Sequence, residues 1–157
     1  MNISTQITDQ EIAKIFARTD HRMSLPFMEH FSSHIKDDSN YWNFLGTAWK
    51  AGGCFTEQDR WIDLFKSTRR NRQKIMKTSE RREFSRLPKQ VTAYRACTTP
   101  NESSESISWS LDKKFVEQYA KKTGRTLIAE AVFDKKDIFA FFNRRHESEI
   151  LVWRASV

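Results

Sequence analysis

At 157 residues the chain has the length of one compact domain, and 38% hydrophobic against 30% charged residues, with four Gly and three Pro, describes a globular protein rather than a disordered one. Two cysteines, Cys54 and Cys97, exclude a disulfide framework, and their spacing offers no CxxC zinc motif. The formal charge of +7 is concentrated: residues 60–89 carry eleven basic side chains against three acids, which suits a phosphate backbone, an acidic partner or a solvated helix face.

Thr8 with Glu11 reads as a capping box, and Ile12, Ile15 and Phe16 follow at one-face spacing, so a short amphipathic helix is expected there. Neither a basic start nor an apolar run occurs in residues 1–14, and no stretch reaches membrane-spanning length. A cytoplasmic location without a membrane partner is therefore expected. Ser24 and Pro26 open a second helix carrying Phe27, Met28, Phe31 and Ile35, since a first turn tolerates the missing N–H of proline. A third runs from about Ser39 with Tyr41, Trp42, Phe44, Leu45, Ala48 and Trp49, and Gly52 and Gly53 stop it. Thr56 is expected to cap a fourth, with Trp61, Ile62, Leu64 and Phe65 inward and the basic stripe continuing it towards Phe84; Pro88 ends the helical half.

From Gln90 the pattern changes to alternation and short β-rich runs, which predicts strands over 91–97, 106–109, 126–133, 138–142 and 149–153. One helix interrupts them from Leu111 to about Lys122, with Phe115, Val116 and Tyr119 inward and Gly124 as its stop. Residues 98–105 are polar and Ser-rich and read as a loop. The expected organisation is one α+β domain over 1–157, with a helical lobe at 1–89 and a β core at 90–157.

Three features fall in order on that β half. Tyr94 and Arg95 lie in the first strand, Ser108-Trp109-Ser110 ends the second where a helix begins, and Glu147-Ser148-Glu149 opens the last. Their order and spacing resemble the Arg, Ser-x-Ser, Glu-x-Glu class of mono-ADP-ribosyltransferases found among bacterial toxins, phage enzymes and toxin modules. The likeness covers residues 91–154. It implies a split pair of small sheets flanking a cleft, with NAD as co-substrate. Cleaving the nicotinamide–ribose bond builds positive charge on the sugar, so such a site needs an anion near the ring and a cation for the pyrophosphate. Glu149 can supply the first and Arg95 the second.

By the same resemblance Glu149 bonds the 2′-hydroxyl of the nicotinamide ribose, Glu147 acts on the incoming acceptor as base or orienter, and Ser108 positions the catalytic Glu. Trp109 stands where the family commonly has a small Thr. In an extended segment residues two apart share a face, so both carboxylates would address one cleft while Ser148 points away. Tyr94 flanks the Arg95 position, and Phe115 or Tyr119 would pack on the nicotinamide or simply fill the core. Ser110 is placed to cap the following helix. Taken singly, each residue has a plainer reading: Arg95 as a paired strand cation, Ser108 as a sheet-edge hydroxyl, Glu147 and Glu149 as a solvated edge. It is the ordered set that points to chemistry.

The resemblance links a Glu pair to arginine acceptors, whose guanidinium suits a carboxylate. Local charge favours RNA instead, because Arg144 and Arg145 would welcome a phosphate and Phe141 or Phe142 would stack on a base. An intracellular toxin or phage-defence effector of this type would need restraint, so an antitoxin or chaperone is an expected partner, docking on exposed aromatics such as Trp42 or Trp49. The competing class is a non-catalytic basic module that binds nucleic acid. His30 and His34 are one helical turn apart but lack a third ligand, so no metal is expected. Cys97 reads as a packed thiol.

Overall fold

The computed structural model describes residues 6–53, 57–102 and 106–153. Two compact units divide the chain, Met1–Ile75 and Met76–Val157. The division falls before the last helix of the N-terminal half, so that helix belongs with the strands rather than with a lobe ending at Lys89. No helix of the described residues is long and apolar enough to cross a membrane.

The first unit is helical. Helix α1 (Asp9–Ala17) starts where Thr8 Oγ1 accepts the Glu11 N–H at 3.1 Å. Helix α2 (Ser24–Phe31) carries Pro26 in its first turn, and Ile35, just beyond its end, is buried. Helix α3 (Asp38–Gly52) is capped by Asp37, whose carboxylate accepts the Asn40 N–H at 2.9 Å. Gly46 on α3 is required by close approach: a Cβ there would lie 2.3 Å from the Ile75 carbonyl oxygen.

Helix α4 (Gln58–Phe65) supplies Trp61, which meets Trp49 edge-to-face with ring centroids 5.3 Å apart. The expected Thr56 cap and Cys54 lie outside the described residues. Trp42 is fully buried and Trp49 is 5% exposed, so both are core; the aromatic partner surface expected of them is not present. The hydrophobic effect of large rings explains the difference, since a helix this rich in Trp and Tyr gains most by turning them inward.

The basic stripe is not one continuous helix. α4 ends at Phe65, Asn71 adopts a left-handed φ of 66°, and a 3₁₀ turn (Arg72–Ile75) follows. Arg69 turns inward: its Nη2 donates to the Ser32 carbonyl at 2.8 Å, its guanidinium lies over the Tyr41 ring, and its own carbonyl accepts the Trp42 Nε1–H. Arg60 is held by Glu29 and Glu57. Internal acceptors therefore compete with solvent for the stripe's cations.

The second unit opens with α5 (Thr78–Ser85), then β1 (Gln90–Cys97), β2 (Ser108–Ser110), α6 (Lys113–Thr123), β3 (Leu127–Asp134), β4 (Ile138–Phe142) and β5 (Glu149–Val152). The fold class is α+β, with six α-helices and one five-stranded antiparallel sheet among the described residues, in the order β3-β1-β2-β5-β4. The expected split into two sheets is corrected on this point, because Tyr94 pairs with Ser110 and joins the halves. That seam holds a single registered pair, whereas β1 and β3 pair along all eight residues. β3 is an outer strand, and Leu127, Ile128 and Val132 on it are exposed.

Asp112, not Ser110, caps α6: its carboxylate accepts the Phe115 N–H at 3.2 Å. The aspartate reaches the first free N–H groups without distorting the chain, whereas Ser110 is still in the ladder. Gly124, at φ 71°, ends the helix in the left-handed conformation that a Cβ disfavours.

Candidate functional site

The register sets out one row across the whole sheet. Glu130 on β3 lies opposite Tyr94 on β1, Tyr94 opposite Ser110 on β2, Ser110 opposite Glu149 on β5, and Glu149 opposite Phe142 on β4. Directly opposed residues share a face, so Tyr94, Ser110 and Glu149 look the same way. Arg95 is one residue out of that row, opposite Ala129.

Three of the residues singled out in the sequence meet at Ser108. Arg95 Nη1 donates to the Ser108 carbonyl oxygen at 2.8 Å, and the Ser108 hydroxyl donates to Glu149 Oε2. One serine thus carries a guanidinium on its backbone and a carboxylate on its side chain. Glu149 is 8% exposed, a position in which a carboxylate needs such a donor. Burial lowers the pKa of Arg95, with Arg125 acting in the same direction and Cys97, Glu102 and Tyr119 opposing. An arginine nonetheless stays cationic at neutral pH. Ser108 thus bonds a half-buried cation through its carbonyl and a buried anion through its hydroxyl, although Arg95 and Glu149 stand at strand positions of opposite facing.

Glu147 arrives differently from the expectation. It is half-buried, and the segment is not extended: His146 and Ser148 adopt left-handed φ values of 58° and 46°. The alternation argument for Glu147 and Glu149 sharing a face therefore fails, because strand periodicity holds only from Glu149 onward. Ser110 Oγ donates to the Glu147 carbonyl at 2.6 Å, the Leu111 N–H to the Ser148 carbonyl at 2.9 Å, and the Ser148 N–H to Asn143 Oδ1 at 3.1 Å. These bonds favour a tight turn over a longer strand.

Tyr94 and Phe115 pack against Ala96, Val116 and Ala120, with the Phe115 and Tyr119 rings stacked at 6.1 Å. Phe141 and Phe142 are buried and so present no stacking surface for a base. Arg144 lies over the Phe142 ring and forks onto Glu80, with Nη2 to Oε1 at 3.0 Å and Nε to Oε2 at 3.2 Å. Its charge is thus met within the protein. Arg145 is exposed.

No group of three or more His, Cys, Asp and Glu that could hold a metal occurs among the described residues; His30 and His34 stack on each other at 5.9 Å. Cys97 is a buried free thiol. Glu80, Asn143 and Asp112 escaped the sequence reading. The signal for Asp112 was its place one residue before the helix, and Asn143 heads the turn that it closes.

No protein-family model, no curated protein and no solved structure matches the chain.

Proposed function

We propose that the second unit is a mono-ADP-ribosyltransferase that takes NAD as substrate and transfers ADP-ribose to a macromolecule, with RNA as the acceptor. The observation that supports this reading is the meeting of Arg95 and Glu149 at Ser108. In the proposed reaction Arg95 binds the pyrophosphate, and Glu149, oriented by Ser108, faces the nicotinamide ribose. As the bond from ribose C1′ to the nicotinamide nitrogen breaks, the bonding pair leaves with nicotinamide and Glu149 offsets the positive charge on the sugar. The acceptor then forms its bond to C1′ and gives its proton to Glu147.

RNA is favoured by exposed cations of the same unit, Arg82, Arg86, Lys89 and Arg145, which suit a phosphate backbone. Protein arginine is the second reading. It gains from Glu80, which cancels the Arg144 charge that would otherwise repel a guanidinium.

Incubation with labelled NAD and separate pools of RNA, DNA and protein tests both. Label in RNA that ribonuclease removes is the expected result, and label on protein selects the second reading. Nicotinamide release without transfer makes the protein an NAD glycohydrolase. No release at all leaves a non-catalytic basic module and overturns the proposal.

A further inference from the structure

Glu80 is a carboxylate in the wrong place for a surface helix of a basic segment. It is 1% exposed, and its two oxygens are saturated. Oε1 accepts the Lys77 N–H at 2.7 Å and Arg144 Nη2 at 3.0 Å; Oε2 accepts the N–H groups of Asn143 at 2.8 Å and Arg144 at 3.1 Å and Arg144 Nε at 3.2 Å. Glu83, one helical turn on, takes the Asn143 amide at 3.2 Å. A buried ion pair is a poor way to stabilise a fold, because apolar side chains of the same volume do as well without the desolvation cost. What it supplies is a fixed register, here for two consecutive backbone amides of one turn.

That turn bears Glu147 and is disfavoured twice over, at His146 and Ser148, both left-handed without being glycine. Such a conformation persists only where neighbours over-determine it. Glu80 holds its start, and Ser110 and Leu111 hold its end through the Glu147 and Ser148 carbonyls. Glu149, by contrast, is fixed by the ladder to Ser110 and Phe142 and by the Ser108 hydroxyl, and Glu80 bonds to none of these three residues.

We infer that Glu80 is a positioning residue for Glu147: through the bidentate pair with Arg144 and the amides of Asn143 and Arg144 it sets the turn that presents Glu147 to the acceptor, leaving Glu149 unaffected. The inference rests on the transferase reading for its chemistry and on the turn geometry for its mechanics.

The test is Glu80→Gln in the full chain, with nicotinamide release, label transfer and amide hydrogen exchange measured on the same folded sample. Exchange over residues 143–148 is expected to rise by about tenfold or more, the scale of one charge-assisted hydrogen bond, while β5 is unchanged. Transfer is expected to fall by about tenfold relative to nicotinamide release, a ratio that general destabilisation does not move. Should that variant fail to fold, Arg144→Lys keeps the compensating charge without the paired fork and gives the same readouts. Unaltered exchange in the turn, or transfer and release falling together, overturns the inference. If the wild-type chain releases no nicotinamide, the transferase reading fails by itself, and the exchange measurement alone decides whether Glu80 is the anchor.

Discussion

The two units bury different things. In the first, Trp42, Trp61, Phe65, Met28 and Leu45 make an aromatic-rich interior in which a phenol and an indole each find a backbone carbonyl, Tyr41 that of Leu64 and Trp42 that of Arg69. In the second, Glu80, Ser106, Ser110 and Glu149 are buried, four of the five buried polar or charged residues described. Apolar burial stabilises without demanding orientation; buried polar groups cost stability unless every partner is placed, and so specify geometry. The contrast marks the second unit as the one built around a directed arrangement.

The largest test of the contrast is on the apolar side. Trp61→Ala should cost about 3–5 kcal/mol of stability by urea unfolding, while nicotinamide release per folded molecule stays unchanged. Glu149→Gln inverts the pattern: an amide oxygen still accepts the Ser108 hydroxyl, so the melting temperature should hold while release drops about 100- to 1000-fold.

The third probe is acid. Burial alone would raise the Glu80 pKa, but the Arg144 guanidinium and the N–H groups of Lys77 and Asn143 outweigh it, and the net shift is downward. A carboxyl whose folded pKa is depressed stabilises fully above its ordinary value, 4.5, and loses that contribution as pH falls through the folded value. The stability gap between wild type and Glu80→Gln should therefore be widest at neutral pH and close below pH 4.5. The smallest effect is Asp112→Ala, which removes the α6 cap and should cost about 1 kcal/mol.

Much of this was legible in the sequence where a signal is local. Thr8, Pro26 and Gly124 bounded helices because capping, a first-turn proline and a left-handed stop act within a few residues, α3 ends at Gly52 with Gly53 extended, and the five strands fell within a residue or two of their predicted limits. Arg95, Ser108 and Glu149 could each be placed on a strand from local pattern; the hydrogen bonds that bring them together at Ser108 could not, since the ladder aligns a different row, Tyr94, Ser110 and Glu149. What was hidden depends on distant partners. The run of cations looked like one helix, since charge does not record that Asn71 turns left-handed or that Trp42 claims the Arg69 carbonyl. Glu80 looked like one of three acids among many bases, because the amides it serves lie more than sixty positions along the chain. The ESE tripeptide suggested a strand; the inward pull of Ser110, Leu111 and Asn143 made it a turn.

Strand β3 has a consequence of its own. Its eight residues include neither Pro nor Gly, Glu130 is the one charge before the terminal Asp134, and Val132 is 61% exposed. Proteins commonly discourage edge-to-edge association with lysines, bulges or covering segments, and this strand carries little of that protection. Solubility should be governed here: scattering from concentrated solutions should climb with protein concentration, and a lysine in place of Val132 should suppress it.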